Sequence, residues 1–595
     1  MLAPPRQPAV GPRGQGPGRP SAPRTLRRGD HVRRLRVWQL GLLVIVTIAA
    51  GRVIDLQAVQ GPALAASAAK DRMRTVELPA VRGDITDING ISLATTVAAR
   101  NVTVDQTLVI DAAAEARSLA RVLGGDATAY RERLTGTRRF VYLAKNITPA
   151  LWAKVSDLKL AGVFSEATTT RIYPAGSVAA NVVGYVHADG TGGDGLEYAF
   201  EKELAGTAGS QIFESSARGT EIPTTVSSGT DPIPGTGIRL TIDRDIQWVA
   251  ENAIAKQVAA ANADSGTVVV MNAATGQIYA LATVPTFDPN QPAGAIASDI
   301  GNRALSDVFE PGSTSKVMTM AAVIEEKKAT PLTKLTIPPV YVTPAKVWHD
   351  HNKHPTLHLT LNGVLAKSSN IGTIMAAERI GGRTLYGYLT KFGIGSPTGL
   401  QFPGESSGFV PAPREWSPTT FGTLAFGQGL SLNAVQAASV YATIANNGVR
   451  VEPSLVAGFT TPEGIFEPAA APTSVRVVSP ATARTVREML ESVVSEDGTA
   501  PMAAIPGYRV AGKTGTADRI DDTCGCYLGY TASFIGLAPA DKPTLVVAVF
   551  LQNPRNGHFG GVLAGPVFKT VMTYALQQLR IPPTGVMRPR IPVTW

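Results

Sequence analysis

Hydrophobic residues form one long run near the start of the chain and shorter, patterned runs after it. The long run extends from Val37 to Gly51 and continues past Arg52 to Leu56. At about 1.5 Å of rise per residue, roughly 20 residues cross a hydrocarbon core of about 30 Å. This run therefore predicts a single transmembrane helix. A cleaved signal peptide is the alternative, but the small-residue triplet Ala63-Leu64-Ala65 lies too far beyond the run for an ordinary cleavage site.

Short β-rich stretches alternate with helical ones between residues 82 and 226, which predicts an α+β region with a modest core. The predicted strands lie at 101–104 and 140–143, and the predicted helices at 112–123 and 149–158. Glycine and proline are frequent in residues 227–235, so this stretch is predicted to be a linker.

Longer elements follow the predicted linker and indicate a sheet with helices grouped around it. They comprise a helix at 244–261, an antiparallel hairpin of strands 266–272 and 277–283, amphipathic stretches near 315–327 and 433–447, a strand pair at 532–537 and 544–551, and a helix at 565–579. The predicted fold class is α+β.

Charge is concentrated at one end of the chain. The formal net charge is +9, and residues 1–36 hold nine arginines and one acid, a net of +8. Nine minus eight leaves +1 for the rest, which removes the electrostatic case for a nucleic-acid-binding surface on the folded part. Prolines and glycines in the same 36 residues predict a disordered tail. Its arginines precede the apolar run, which predicts a cytoplasmic N-terminus and an exported remainder.

Three short strings carry candidate chemistry. In Ser313-Thr314-Ser315-Lys316, the lysine falls on the same helical face as the serine and could serve as its base. Such a base requires an ammonium destabilised by burial or by a nearby cation. The second string is Lys367-Ser368-Ser369-Asn370, a polar turn between apolar segments. The third, Lys513-Thr514-Gly515-Thr516, lies in a strand pattern whose glycine permits close approach.

In this order, the three strings resemble the signature of the penicillin-recognising serine acyltransferases, the penicillin-binding proteins and serine β-lactamases. Ser313 and Ser368 are 55 residues apart, and Ser368 and Lys513 are 145 apart. Further strings resemble class B penicillin-binding proteins of the division type, the FtsI family. They are Val81-Arg82-Gly83-Asp84, Arg171-Ile172-Tyr173-Pro174, Gly195-Leu196-Glu197-Tyr198, Pro285-Thr286-Phe287-Asp288 and Gly427-Gln428-Gly429.

The resemblance implies a division of the chain into five parts. These are a disordered basic cytoplasmic tail (1–36), a transmembrane anchor (37–57), a pedestal of the dimerisation type (58–235), a transpeptidase domain (236–582) and a C-terminal tail (583–595). The transpeptidase domain is expected to combine an antiparallel sheet flanked by helices with a helical subdomain.

The resemblance also implies a role for each site residue. Ser313 would attack the carbonyl between two terminal D-alanines, and Lys316 would accept its proton while Lys513 lowers the pKa of Lys316. Ser368 would carry the proton onward and Asn370 would orient the donor peptide. Lys513, Thr514, Gly515 and Thr516 would bind the terminal carboxylate, and the amides of Ser313 and Thr516 would form the oxyanion hole. The three strings are therefore expected to converge into a single pocket, in which a hydroxyl oxygen lies between two amino groups.

The implied partners are peptidoglycan stem peptides, β-lactams that mimic them, and, by resemblance, an FtsW-like glycosyltransferase with other division proteins of the membrane. No cofactor, metal or nucleic acid is expected. The alternatives are an elongation-type transpeptidase, a secreted β-lactamase, a membrane β-lactam sensor and a non-catalytic division scaffold. The balance between transpeptidation and carboxypeptidation stays open.

Two side-chain clusters are left over. His349, His351, His354 and His358 fall within ten positions in what resembles an exposed loop, so a structural or adventitious role is favoured over a transition-metal site. Cys524 and Cys526 flank one glycine, and a strained short-range disulfide or two free thiols are both compatible with an exported domain.

Overall fold

A computed structural model describes residues 30–214, 228–521 and 524–595. The chain forms two compact units. One contains the residues up to 76 together with 211–229, and the other contains Glu77–Ser210 and Thr230–Trp595.

The first unit begins with the apolar helix that the sequence predicts. The helix His31–Ile54 starts at Asp30, whose carboxylate accepts from the amide of Val32 (3.1 Å), and it continues as a π-helical turn, Asp55–Val59. Together these 29 residues are long and apolar enough to cross a membrane, so the protein is a single-pass membrane protein within the part of the chain that the structure describes. The helix Gly61–Arg72 follows. The strands Met73–Leu78, Gly209–Glu214 and Ser228–Thr230 form a three-stranded sheet in that order.

The second unit opens with a seven-stranded sheet, which we call the pedestal sheet. Its strands run in the order Phe466–Pro468, Val456–Thr460, Gly237–Leu240, Ile85–Thr86, Ser92–Val104 and Val141–Ile147, with Val163–Ile172 also paired to Ser92–Val104. Helices Ala112–Leu123, Ala127–Leu134 and Pro149–Ser156 cover it, and the short helices Ala180–Val183, Gly195–Ala199 and Glu201–Leu204 follow. Two strands thus come from the C-terminal half, a pairing between distant segments that no local pattern predicts.

A buried ion-pair cluster joins three of the strings that resemble class B motifs. The Glu197 carboxylate, which is fully buried, accepts from Arg82 Nε at 2.6 Å and from Arg171 Nε at 2.7 Å. Burial, together with this carboxylate, raises the pKa of the neighbouring Tyr173. Each guanidinium therefore neutralises a charge that could not be buried alone.

The predicted linker at 227–235 is wrong where the structure describes it; its first residue lies outside the described part. Ser228–Thr230 is a strand, Ile233 pairs with Thr207, and the Gly235 amide donates to the Val81 carbonyl at 2.9 Å. A Cβ at Gly235 would lie 1.8 Å from the carbonyl oxygen of Leu204. Here the glycine permits close backbone packing, which composition alone cannot distinguish from flexibility.

The second sheet of this unit, the catalytic sheet, is antiparallel. Its five strands run in the order Ile278–Val284, Ser265–Asn272, Leu545–Gln552, Cys526–Ala538 and Ala511–Asp521. The predicted hairpin and the two predicted C-terminal strands are confirmed, although the strand predicted at 532–537 is longer. The central strands are apolar at nearly every position because both faces of the sheet are covered.

Helices Arg244–Ala261 and Gly560–Gln578 pack together on one face of the catalytic sheet, and Ala434–Ala445 lies buried against the sheet. The predicted helix 244–261 is confirmed, whereas the last helix begins five residues before the predicted Gly565. The other helices of this region are Arg303–Ser306, Lys316–Glu325, Leu361–Ala366, Asn370–Ala377, Gly382–Lys391, Thr420–Phe426 and Pro480–Glu491. Three two-stranded ribbons pair Lys334–Ile337 with Leu357–Thr360, Tyr341–Val342 with Val347–Trp348, and Val449–Val451 with Ser474–Arg476.

Candidate active site

Ser313 lies in a tight turn that leads directly into a buried helix. The 3₁₀ turn Gly312–Ser315 continues into the helix Lys316–Glu325, and Ser313 is only partly buried. The Gly312 amide donates to the Gly427 carbonyl (2.9 Å), and the Tyr441 hydroxyl donates to the Thr314 carbonyl (2.8 Å). The turn is therefore fixed by two residues more than 100 positions away.

Lys316 is completely buried, and its amino group points to the second string. Its Nζ donates to the Ser368 carbonyl at 2.6 Å, to Asn370 Oδ1 at 2.7 Å and to Ser368 Oγ at 3.3 Å. Burial lowers the pKa of Lys316 to about 7, and the opposing Asp350 charge is the smaller influence. Within the described residues, Lys316 Nζ makes no hydrogen bond to the Ser313 hydroxyl. Hydrogen bonds between catalytic groups are often long until a substrate binds.

Ser368 lies between the two lysines. Its hydroxyl accepts from Lys513 Nζ at 2.9 Å as well as from Lys316. The hydroxyl that lies between the two amino groups is thus that of Ser368. The backbone of Ser368 has φ +61°, a left-handed conformation that costs about 1 kcal/mol or more for a residue other than glycine.

The third string forms part of the strand Ala511–Asp521, at one edge of the catalytic sheet. Lys513 is completely buried, and its pKa is lowered by burial and further by repulsion from the Lys316 ammonium. Burial, rather than Lys513, is accordingly the main cause of the low pKa of Lys316. A Cβ at Gly515 would lie 2.3 Å from Ser533 Oγ and 3.0 Å from Thr314 Cγ2, so the strand passes directly against the Ser313 turn.

The two threonines of this string differ in their surroundings. Thr514 is buried, and its hydroxyl is 2.9 Å from that of Thr499. Thr516 is partly exposed, and its hydroxyl accepts from the Gly560 amide at 3.2 Å. Of the two hydroxyls, that of Thr516 is the one placed near the surface.

Asp350 is a site residue that the sequence does not reveal. It lies in the histidine-rich loop, and its carboxylate accepts hydrogen bonds from the Asn370 amide, from the Ile371 amide at 2.9 Å and from the Ser369 hydroxyl at 2.7 Å. It therefore caps the helix Asn370–Ala377 at the second string. The only signal in the sequence is an acidic residue about 20 positions before a helix start, a separation that no capping rule covers.

The cysteine pair and the histidine cluster have different outcomes in the structure. Cys524 and Cys526 form a disulfide with their Cα atoms 5.2 Å apart, at the start of the strand Cys526–Ala538, which pairs with Ala511–Asp521. The histidines separate: His354 binds Asp350, the His358 ring contacts Trp595, and the His351 ring faces His558. Among the described residues, no three His, Cys, Asp or Glu side chains form a group that could hold a metal ion.

One serine at the start of a buried helix, with a second serine held by two buried lysines, provides a nucleophile and a proton path next to a strand edge. This arrangement, on a sheet with helices on its faces, is that of a serine acyltransferase of the penicillin-recognising class. Comparisons with known proteins narrow the class. Residues 266–573 match the penicillin-binding protein transpeptidase domain, and residues 77–240 match the penicillin-binding protein dimerisation domain.

Individual relatives cover nearly the whole chain. The penicillin-binding protein PbpB of Mycolicibacterium smegmatis is 37% identical over 94% of this chain and 92% of its own length. The peptidoglycan D,D-transpeptidase FtsI of Escherichia coli K12 is 32% identical over 92% of both chains. The crystal structure of penicillin-binding protein 3 from Mycobacterium tuberculosis, complexed with aztreonam, has a TM-score of 0.70 at 34% identity and covers 87% of this chain and 100% of that chain.

The chain therefore belongs to the class B penicillin-binding proteins, and within them to the division-type peptidoglycan D,D-transpeptidases. The catalytic chemistry of this family is that of a serine-type D-Ala-D-Ala transpeptidase.

Proposed function

We propose that this protein crosslinks peptidoglycan stem peptides at the division septum through an acyl-enzyme on Ser313. The observation that carries the proposal is the buried amino group of Lys316. Its pKa is lowered to about 7, so a large fraction is a free amine near neutral pH. A free amine three residues after a partly exposed serine is the base that the serine needs.

Acylation begins with the donor stem peptide. The Ser313 oxygen attacks the carbonyl between its two terminal D-alanines, and the proton passes to Lys316. An ester forms as the peptide bond breaks, and the departing D-alanine amine takes a proton delivered through the Ser368 hydroxyl. Two distances support this relay: Ser368 Oγ is 2.9 Å from Lys513 Nζ and 3.3 Å from Lys316 Nζ.

Other residues bind and orient the donor. Lys513 and Thr516 hold the terminal carboxylate, whose negative charge favours the ammonium form of Lys513 against the effect of burial. Gly515 allows the strand to approach the Ser313 turn, and Thr514 fixes the strand through Thr499. Asn370 orients both Lys316 and the peptide. The amides of Ser313 and Thr516 form the oxyanion hole, where the loss of one donor typically costs about 3 to 4 kcal/mol.

An amine of a second stem peptide then attacks the ester, forms the crosslinking amide and releases Ser313. β-Lactams react at the acylation step, because their ring carbonyl replaces the D-alanyl-D-alanine carbonyl. The ester they leave has no acceptor amine in place and hydrolyses slowly.

Covalent labelling by a fluorescent penicillin tests the proposal directly. The detergent-solubilised full chain should label, and Ser313→Ala should not. Ser315→Ala is the matched control, since the Ser315 hydroxyl is buried and makes no hydrogen bond within the described residues. Loss of labelling in Ser315→Ala but not in Ser313→Ala would refute Ser313 as the nucleophile, and a wild type that never labels would favour a non-catalytic scaffold.

The cellular setting is part of the same proposal. The arginines before the apolar helix support a cytoplasmic N-terminus and an exported catalytic domain. An FtsW-like glycosyltransferase would supply the glycan strands. Depletion in the native cell should give filaments without septa, whereas swollen or rounded cells would indicate elongation. Protease treatment of intact spheroplasts should remove the catalytic domain but leave the N-terminus protected.

A further inference from the structure

His354 and Asp350 form a pair at the edge of the active site that the mechanism above does not use. Both belong to the loop between Trp348 and Leu357, and their side chains are 13% and 9% exposed. The contact joins His354 Nε2 and Asp350 Oδ2 at 3.0 Å. A pair this buried, in a loop of otherwise exposed residues, needs a physical reason.

The surroundings of Asp350 fit its ionised form. One oxygen accepts from the Asn370 and Ile371 amides, and the other accepts from the Ser369 hydroxyl besides contacting His354. An ionised carboxylate is purely an acceptor, and here every other neighbour is a donor. Its charge also lies at the N-terminus of the helix Asn370–Ala377, where the helix dipole favours an anion.

The His354 ring faces an acceptor at each of its two nitrogens. Nδ1 lies 2.6 Å from the Pro355 carbonyl, which can only accept, and Nε2 faces the Asp350 carboxylate. A neutral imidazole has one N–H and could satisfy only one of these acceptors. The ring can donate to both acceptors at once only when both of its nitrogens carry a proton.

The pair is connected to the base by a short path. Asp350 binds the amide of Asn370, and the side-chain oxygen of Asn370 accepts from Lys316 at 2.7 Å. The negative charge of Asp350 raises the pKa of Lys316 against the larger effect of burial. A cation next to Asp350 offsets that charge.

We propose that His354 is a positioning residue which, as an imidazolium, neutralises Asp350 and thereby holds the Ser368–Asn370 segment and keeps Lys316 available as a base. The inference rests on the proposed function, because it concerns the residue that accepts the Ser313 proton. The charged groups around Asp350 are His354 on its own loop and Lys316 on the nucleophile helix, with Lys513 beyond Ser368 on the catalytic sheet. His349, His351 and Lys353 of the same loop are exposed.

Four variants separate a charge effect from a structural one. Asp350→Asn keeps an oxygen for the helix amides but removes the anion, and His354→Gln keeps a donor for Asp350 but removes the cation. His354→Arg restores a cation. His358→Gln, at a histidine that packs on Trp595, is the control. The measurement is the second-order rate constant for acylation of the full chain by a fluorescent penicillin, between pH 5.5 and 9.

The acidic limb of this profile is the pH range in which the rate constant rises as Lys316 loses its proton. Asp350→Asn and His354→Gln should move this limb in opposite directions. Without the Asp350 anion, the Lys316 ammonium loses its stabilising charge and the limb moves to lower pH. Without the His354 cation, the uncompensated anion stabilises that ammonium and the limb moves to higher pH, each by about 0.5 to 1 unit. His354→Arg and His358→Gln should keep the wild-type limb.

A lower plateau without a shift, or shifts in the same direction, would overturn the proposal and leave the pair a purely structural one. If Asp350→Asn does not fold, His354→Gln against His354→Arg still decides the question. A wild type that is never acylated would instead refute the proposed function, so the two failures are distinguishable.

Discussion

Replacing Lys316 with arginine tests whether burial of this amino group supplies the base. The pKa of Lys316 is lowered from 10.5 to about 7. This difference corresponds to about 5 kcal/mol between the two protonation states. At pH 7 about half of such a lysine is neutral, against roughly three in 10⁴ for an unperturbed one. The environment thus raises the amount of free base on the order of 10³-fold. Arginine keeps a positive charge but stays protonated at any pH where the protein is folded.

Lys316→Arg should therefore acylate at least about 10³-fold more slowly than wild type at pH 7. The wild-type rate should fall about tenfold per pH unit below a midpoint near 7, because one unit of pH changes the free-base fraction tenfold. Stopped-flow mixing with a fluorescent penicillin measures both, and a thermal unfolding curve checks that the variant is folded. A wild-type profile that is flat from pH 6 to 9, or a Lys316→Arg variant within tenfold of wild type, would refute Lys316 as the base.

Three further predictions concern the surroundings of the base and the nucleophile. Because the pKa of Lys316 is lowered in the folded state, the folded protein binds fewer protons at this lysine than the unfolded chain does between pH 7 and 10.5. The free energy of unfolding of the wild type should therefore rise with pH in this window. Denaturant titrations at pH 7, 8 and 9 should show a smaller rise with pH for Lys316→Met. In Gly427→Ala, a Cβ 2.1 Å from the Gly312 carbonyl oxygen should displace the Ser313 turn and lower the free energy of unfolding by more than about 2 kcal/mol. The control Gly404→Ala is also at positive φ but in open space, so it should lower that free energy by only about 1 kcal/mol and keep full penicillin labelling. Tyr441→Phe leaves the Thr314 carbonyl unpaired in the core and should lower stability by about 1 to 3 kcal/mol with slower acylation; an unchanged midpoint in urea would contradict that reasoning.

The sequence predicts this fold best where an element is long and its pattern local. Helix 244–261 and the hairpin that follows it match the structure because each has a start signal, a periodic apolar face and a turn. The pedestal sheet could not be predicted in this way. Val456–Thr460 pairs with Gly237–Leu240 across more than 200 residues, and both are short strands whose partner is set by tertiary packing. The predicted linker fails for a related reason, since Gly235 is small to allow contact rather than to allow motion.

In the candidate site too, residues with a local sequence signal could be predicted, and residues that act through tertiary contacts could not. Ser313, Lys316, Ser368 and Lys513 belong to short strings with a chemical meaning. The structure brings Lys316 and Lys513 each within hydrogen-bond distance of Ser368. The supporting residues carry no such signal. Asp350 is one acid in a polar loop, and its role depends on where that loop folds back relative to the helix after Ser368. A capping rule detects a partner two or three positions away, but not one that arrives from a separate loop.

The residues at the centre of the pocket violate several rules of stable folding at once. Lys316 and Lys513 are fully buried lysines whose charged forms repel each other, and Ser368 holds a left-handed backbone conformation. Each feature destabilises the folded state, so their coincidence at one point requires compensation from neighbours. The Ser368 carbonyl, the Asn370 side chain and the Thr514 carbonyl accept from the two amino groups, and Asp350 supplies the opposing charge. Because buried methionines would fill the same volume without that cost, the lysines are explained by the reaction rather than by the fold.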